Sequence, residues 1–165
     1  MQGRDIIVMG VSGTGKSTVG TAMAEALGRP FVEGDDHHPD DNRAKMAGGT
    51  ALTNADRDAW IAALAAAVNA GPPAIVACSA LNPTVRRWIG ARFVRSVRYV
   101  HLTAPKALIA ERLAARTDHF FDPALLESQC AALDAPDDAL CVSVDQPVDA
   151  IVAAALAGLD EDAQQ

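Results

Sequence analysis

The sequence predicts a three-layer α/β/α fold in which a five-stranded parallel sheet lies between two layers of helices. Short apolar runs alternate along the chain with stretches of helical length and periodicity. Prolines at 83, 105, 123 and 147 stand where helices should begin, at the position that tolerates a missing N–H. Strands joined by helical crossovers form a parallel sheet with helices on both faces. A chain of 165 residues is expected to fold as one domain, 1–165.

Apolar runs define the strands of this sheet. They are predicted at 6–9, 30–33, 74–78, 97–102 and 139–144. A helix is expected after the first strand, to about residue 27, and Thr53-x-x-Asp56 has the form of a capping box that opens another helix. The last predicted helix has its apolar side chains on one face: Val148, Ile151, Val152, Ala155, Leu156 and Leu159.

Composition narrows the class of partner. The net charge of −7 argues against a nucleic-acid partner, because binding to a phosphate backbone depends on a basic surface. No apolar run approaches the roughly 18 residues that a membrane helix needs, and the N-terminal residues leave no room for a secretory signal. The cysteines show no CxxC spacing, which favours a reducing compartment. We therefore expect a cytoplasmic protein with a small-molecule partner, and neither a nucleic acid nor a membrane.

Residues 10–17 read GVSGTGKS and fit the pattern G-x-x-x-x-G-K-[ST], directly after a predicted strand and before a predicted helix. In such a loop, backbone N–H groups surround a phosphate, the lysine bridges the β- and γ-phosphates, and the hydroxyl of Ser17 can bind Mg²⁺. The motif therefore predicts a nucleoside triphosphate and Mg²⁺ as cofactors, and the absence of GTPase segments from the sequence favours ATP. The predicted nucleotide contacts are Gly10, Val11, Ser12, Gly13, Thr14, Gly15, Lys16, Ser17 and Thr18.

The rest of the chain narrows the class of phosphate-loop protein. The DxxG and NKxD segments of a GTPase occur nowhere, and the third strand runs into Cys78-Ser79-Ala80-Leu81 without the acidic residue that ATPase motors usually have there. The carboxylate must come from elsewhere. GDDHHPDDN at 34–42 follows the second strand, where compact kinases similar to nucleoside monophosphate and shikimate kinases have a carboxylate. Asp35 is the predicted functional acid of this stretch.

Arg112 and Arg116 are four residues apart in a predicted helix, so we expect them on one face, where two guanidinium groups could reach one ligand. Cations on a mobile lid neutralise the oxygens of a transferring phosphoryl group and exclude water. The polar and aromatic segment that follows suits a lid, which we predict at about 116–133. The alternative is an exposed helix face with two solvated arginines.

The chain resembles bacterial gluconokinases of the small phosphate-loop type over nearly its whole length. The resemblance rests on GVSGTGKST at 10–18, GDDHHPDDNRAKMAGG at 34–49, LTNADRDAW at 52–60, ACSAL at 77–81, RTDHFF at 116–121 and VDQP at 144–147. The chain departs from the family where Asn82 and Val85 replace a lysine and a tyrosine, and where Asp118 replaces a glycine. These departures bear on affinity and lid closure, while the phosphate loop and Asp35 keep the family pattern.

The resemblance implies a kinase that transfers a phosphoryl group from ATP to the 6-hydroxyl of D-gluconate, and it suggests a homodimer. Asp35 would accept the hydroxyl proton or orient the oxygen, and would hold Mg²⁺ together with Ser17. Lys16, Arg112 and Arg116 would neutralise the developing charge.

The same resemblance implies the binding sites for the base and for gluconate. Arg112 would stack on adenine, with Asp145 and Pro147 closing the base pocket. A helical segment at about 35–70 would bind the substrate. The candidate substrate contacts are Asp35, His38, Lys45, Arg57, Ser79, Arg86 and His119.

Several alternatives stay open on the sequence alone. Arg57 could instead form an ion pair with Asp56 or Asp58 on the helix surface. A shikimate kinase would accommodate GKSTVG and LGRPFVEGD, although it would carry glycines after the third strand. A metallochaperone could use DDHH to hold Zn²⁺ or Ni²⁺, but adjacent histidines do not easily face one ion. A catalytically silent nucleotide-binding regulator is a further alternative.

Overall fold

The computed structural model describes residues 3–116 and 123–162. In chain order the elements are β1 (Asp5–Met9), α1 (Lys16–Leu27), β2 (Phe31–Glu33), a 3₁₀ helix (Gly34–His37), α2 (Asp40–Ala47), α3 (Asn54–Asn69), β3 (Ile75–Ala77), α4 (Pro83–Arg92), β4 (Val97–Thr103), α5 (Lys106–Ala114), α6 (Pro123–Ala132), β5 (Leu140–Ser143) and α7 (Val148–Asp162). The strands form one parallel sheet in the order β2-β3-β1-β4-β5, which confirms the predicted five-stranded parallel sheet.

The central strand β1 is buried along its whole length, including the acidic residue with which it begins. A carboxylate taken out of water is costly unless it is paired. The carboxylate of Asp5 accepts a hydrogen bond from the N–H of Ala74 at 2.9 Å and forms an ion pair with Arg95 at 3.1 Å. These bonds tie the start of β1 to the residue before β3 and to the loop before β4.

Apolar side chains cover both faces of the sheet, as a three-layer fold requires. One face packs against α3 and α4 through Trp60, Ile61, Leu64, Val68, Val85 and Ile89. The other face packs against α1 and α7 through Val19, Met23, Ile151, Ala155 and Leu159. The predicted apolar face of the last helix is confirmed except at its first residue, because Val148 remains 41% exposed. Among the described residues, no helix is both long and apolar enough to cross a membrane.

Local sequence signals are confirmed at several helix starts. The hydroxyl of Thr53 accepts the N–H of Asp56 at 3.2 Å, and the carboxylate of Asp56 accepts the N–H of Thr53 at 2.8 Å, so the capping box of α3 is complete. The four predicted prolines lie at the first residue of a helix or immediately before it: Pro83, Pro105, Pro123 and Pro147.

The end of α5 differs from the prediction. The helix ends at Ala114, and the N–H of Arg116 donates to the carbonyl oxygen of Leu113 at 3.3 Å, a tighter turn than an α-helix makes. Arg116 therefore lies beyond the helix. The prediction that Arg112 and Arg116 share one helix face is wrong, because a four-residue spacing aligns side chains only while the helix continues.

Candidate active site

The loop between β1 and α1 needs glycine at defined positions. Gly10 has a φ of +146°, and a Cβ there would lie 2.9 Å from the carbonyl oxygen of Leu102. Gly13 has a φ of +86°, and a Cβ there would lie 2.8 Å from the side chain of Leu113. Helix α1 begins at Lys16, so its free N–H groups and its positive end face the concavity of the loop. The loop therefore presents a site for an anion.

This concavity, which we call the phosphate pocket, has a volume of about 170 Å³. Its lining consists of the loop and three side chains from other parts of the chain: Ser12, Gly13, Gly15, Lys16, Ser17, Thr18, Glu33, Asp35 and Arg116. The fold thus brings together Lys16, Asp35 and Arg116, the three residues for which the sequence predicted a catalytic role.

Charged groups of both signs lie around Lys16 in the phosphate pocket. Burial lowers the pKa of Lys16 from its ordinary value of 10.5, and the carboxylates of Asp35 and Glu33 oppose that shift, while Arg116 adds to it. The ammonium group donates a hydrogen bond to the carbonyl oxygen of Val11 at 3.1 Å. The lysine is therefore held within its own loop, beside two acids and a second cation.

The segment after β2 is fastened to α3 through an aromatic side chain. The indole N–H of Trp60 donates to the carbonyl oxygen of Gly34 at 2.8 Å, and the ring of His38 stacks on the indole with centroids 4.5 Å apart. Burial lowers the pKa of His38, which keeps the ring neutral near neutral pH. In residues 3–116 and 123–162, no three His, Cys, Asp or Glu side chains are arranged to hold a metal ion. The stretch 34–42 is thus an anchored support for Asp35.

A second concavity, the α3–α6 pocket, opens between α3, α6 and the segment after β3, with a volume of about 250 Å³. Two predicted substrate contacts, Arg57 and Ser79, line it, together with two of the three residues that depart from the family pattern, Asn82 and Val85. Its remaining lining is Trp60, Ala80, Leu81, Leu125, Ser128, Gln129 and Ala132. Its wall contains Trp60, whose indole also fixes the residue before Asp35, so the two pockets share one support.

Residues 6–136 match the protein family described as the AAA domain. A gluconokinase from Gluconobacter oxydans (strain 621H) is 42% identical over 149 residues, which cover 88% of this chain and 80% of that protein. The chain belongs to the gluconokinase family. The crystal structure of a gluconokinase from Sinorhizobium meliloti 1021 matches 98% of this chain and 94% of that one, with a TM-score of 0.87 and 41% identity. A shikimate kinase from Aquifex aeolicus shares the fold, with a TM-score of 0.63 at 19% identity over 97% of this chain and 98% of that one.

In this member of the gluconokinase family, Glu33 is a site residue that the sequence prediction missed. It is the last residue of β2, and its carboxylate accepts a hydrogen bond from the hydroxyl of Ser17. Asp35 lines the same pocket. Hydroxyl and carboxylate oxygens are the ligands that Mg²⁺ prefers, so Ser17, Glu33 and Asp35 fit this metal. The signal was an acidic residue at the carboxyl end of a predicted strand, where ligands of α/β folds bind.

Two predicted substrate contacts have other partners in this gluconokinase-family chain. The ammonium group of Lys45 lies 2.8 Å from both carboxylate oxygens of Asp56. The guanidinium group of Arg86 donates to the carbonyl oxygen of Ala80 at 2.8 Å. Neither residue belongs to the lining described for the phosphate pocket or the α3–α6 pocket. The fold uses Lys45 to support the capping box of α3, and Arg86 to hold the segment after β3. The remaining predicted contact, His119, lies outside the described residues.

The predicted base-pocket residues lie together. The guanidinium group of Arg112 donates to the carbonyl oxygen of Val144 at 2.7 Å, directly before Asp145. The N–H of Asp145 donates to the hydroxyl of Ser143 at 3.3 Å, and Pro147 precedes α7. Arg112 is therefore held beside the loop 145–147, while Arg116 lines the phosphate pocket.

Proposed function

We propose that this chain transfers the γ-phosphoryl group of ATP to the 6-hydroxyl of D-gluconate, giving ADP and 6-phospho-D-gluconate. Family membership supports the choice of acceptor. The observation that supports the proposed reaction is the phosphate pocket, in which Lys16, Asp35 and Arg116 lie around the loop. One carboxylate and two cations are the groups that phosphoryl transfer to a hydroxyl requires.

In the proposed reaction, a bond forms between the 6-oxygen of gluconate and the γ-phosphorus. The bond from that phosphorus to the β–γ bridging oxygen breaks, and ADP leaves with the electron pair. Asp35 accepts the proton of the hydroxyl as the oxygen attacks. Lys16 and Arg116 stabilise the charge that spreads over the transferring oxygens and the leaving group.

We further propose that Mg²⁺ is held by Ser17, with Glu33 and Asp35 as the carboxylates at the same site. When bound, the metal neutralises phosphate oxygens and thereby supports transfer. The donors of the chain are hard oxygens, and the hydrogen bond between Ser17 and Glu33 keeps the hydroxyl and the nearer carboxylate together.

The α3–α6 pocket is the proposed site for gluconate, with Arg57 as the partner of its carboxylate. The two acids beside Arg57 are engaged elsewhere: Asp56 with Lys45, and Asp58 with Arg92 at 2.6 Å. Among the described residues, the guanidinium group of Arg57 bonds only the side-chain oxygen of Asn54, at 3.4 Å. A guanidinium group without a carboxylate partner, at the wall of a pocket, is suited to bind an acidic substrate.

Ser79 in the same pocket, and His38, whose ring stacks on Trp60, are proposed to hydrogen-bond the gluconate hydroxyls. The segment 116–133 would act as the lid, since its described part carries Arg116 and α6, which borders the α3–α6 pocket. Arg112, Asp145 and Pro147 would bind the base. The single domain 1–165, the substrate-binding segment at about 35–70, the cytoplasmic location and the homodimer stay predictions from the sequence.

The test is ADP formation with ATP, Mg²⁺ and either gluconate or shikimate as acceptor. We expect turnover with gluconate; turnover with shikimate alone would overturn the proposal. Asp35→Asn should lower kcat by about 10²-fold or more with a small change in the KM for ATP, because a general base acts in the transition state. The matched control is Asp36→Asn, an exposed neighbour outside the described pocket lining, which should keep its turnover. Wild-type turnover in Asp35→Asn would exclude Asp35 as the base.

A further inference from the structure

Gln129 of α6 links the two pockets, because it lines the α3–α6 pocket and hydrogen-bonds a residue of the phosphate pocket. Its side-chain oxygen accepts the backbone N–H of Ser12 at 2.7 Å, and its side-chain nitrogen donates to the hydroxyl of Ser12 at 3.0 Å. Ser12 lines the phosphate pocket, and Gln129 lines the α3–α6 pocket. The two residues are 117 positions apart in the chain, so this double hydrogen bond is a tertiary contact between the phosphate loop and the wall of the proposed gluconate site.

The chemistry of the amide leaves one donor unused. A primary amide nitrogen carries two N–H groups, and one of them is directed to Ser12. No described residue accepts the second. Gln129 is half-buried and belongs to the lining of the α3–α6 pocket. A ligand bound in that pocket would therefore lie close to the second N–H of the amide. A polyhydroxylated acid offers many oxygen acceptors there.

Helix α6 is also linked to the loop through apolar packing. Leu126, one turn before Gln129, is 3% exposed and packs in a cluster with Val11, the neighbour of Ser12 in the loop. On the pocket side, α6 presents Leu125, Ser128, Gln129 and Ala132, the spacing of one helix face. A shift of α6 toward a bound acceptor would therefore move the loop with it.

We propose that Gln129 is a positioning residue that couples the binding of the polyhydroxylated acceptor to the geometry of the phosphate loop. The acceptor takes the free N–H of Gln129, and the amide, held by two bonds to Ser12, transmits that contact to the loop. Acceptor and nucleotide then tighten each other's binding by the same factor, since coupling between two sites is reciprocal. This inference rests on the proposed function, because it needs gluconate in the α3–α6 pocket.

The test measures the dissociation constant of ADP with Mg²⁺ by calorimetry, with and without saturating gluconate, and that of gluconate with and without ADP. We expect the wild-type protein to show mutual tightening of about 5-fold or more. Gln129→Ala should bring this factor close to one. Gln129→Glu, which keeps an acceptor for the N–H of Ser12 but loses the free donor, should also lose the coupling while it keeps the melting temperature.

The matched control is Glu127→Gln on the same helix. Glu127 pairs with Lys106 and lies outside the described lining of both pockets, so its replacement should leave the coupling factor unchanged. Equal coupling in the wild type and in Gln129→Glu would overturn the role of Gln129, as would the absence of coupling in a wild type that turns over gluconate. Absence of gluconate turnover in the wild type would instead overturn the proposed function, and with it the acceptor named here.

Discussion

Replacing Gly34 with alanine tests how tightly the fold positions the acid of the phosphate pocket. Gly34 is buried between the end of β2 and the end of β3, directly before Asp35. A Cβ at this position would lie 2.4 Å from the carbonyl oxygen of Ala77, whereas ordinary contacts begin at 3.4 Å. The methyl group would thus be about 1 Å too close to a backbone atom of the sheet.

Neither the carbonyl group of Ala77 nor the backbone of Gly34 can move at a low cost in free energy. The carbonyl oxygen belongs to a buried strand, and the carbonyl of Gly34 itself is held by the indole of Trp60 at 2.8 Å. The segment that carries Asp35 must therefore move by a distance of the same order. A misplacement of about 1 Å at a catalytic group costs about 10²-fold in rate. Overpacking of a close-packed region also costs about 1–3 kcal/mol of the free energy of unfolding.

The assay is gluconate-dependent ADP formation, together with thermal unfolding of the same preparations. Gly34→Ala should lower kcat by about 10²-fold and lower the melting temperature by roughly 2–4 °C for each kcal/mol lost. Gly90→Ala is the matched control, because Gly90 lies in α4 and, apart from the adjacent residues and backbone of its own helix, no atom lies within 4 Å of the added Cβ. It should keep its turnover and gain about 0.5–1 kcal/mol of stability, since alanine is the better helix former. A Gly34→Ala variant with wild-type kcat would refute the reasoning.

Two further predictions concern single carboxylates, that of Glu33 in the phosphate pocket and that of Asp56 in the capping box of α3. Glu33→Gln removes the negative charge of the carboxylate that accepts a hydrogen bond from the hydroxyl of Ser17. We therefore expect the Mg²⁺ concentration for half-maximal turnover to rise by about 10-fold or more. An unchanged Mg²⁺ titration at saturating ATP would contradict this role of Glu33. The hydrogen bond from Lys45, with that from the N–H of Thr53, lowers the pKa of Asp56 from 3.8 to about 2. Because the folded pKa lies below the unfolded one, the stabilisation is present above about pH 4 and is lost as the pH falls toward 2. Urea unfolding should therefore show the stability difference between wild type and Lys45→Met shrinking over this range, and a constant difference would exclude the ion pair as its source.

The parts of the site that the sequence predicted lie within short segments. The phosphate loop is a continuous run whose glycines, lysine and hydroxyl are set by backbone conformation and by the helix that follows. The capping box of α3 is equally local, since Thr53 and Asp56 are three residues apart. Asp35 was predicted because it follows a strand whose apolar run is visible in the sequence. In the phosphate loop and the capping box, the neighbours along the chain are also the neighbours in space.

The sequence did not indicate which distant group a side chain would contact. Arg116 lies beyond the end of the helix that contains Arg112. The buried Leu113 between them packs against the phosphate loop, and no local sequence pattern predicts this contact. The substrate contact of Lys45 stays a prediction, and in this structure its ammonium group pairs with Asp56 across the gap between α2 and α3. A long cationic side chain could pair with any of several acidic residues in this acidic chain, and the packing of the helices determines which residue becomes its partner.

The sequence by itself determined the α/β order of elements, the phosphate loop and the acid that follows β2, because backbone conformation and apolar periodicity are encoded locally. The tertiary structure alone decided that Glu33 would meet Ser17, that Trp60 would hold Gly34, and that Gln129 would hold Ser12. The physical reason is the strand order β2-β3-β1-β4-β5, which gathers loops from remote parts of the chain at one edge of the sheet. The groups that meet there are set by that topology and by the packing of α3 and α6 above it.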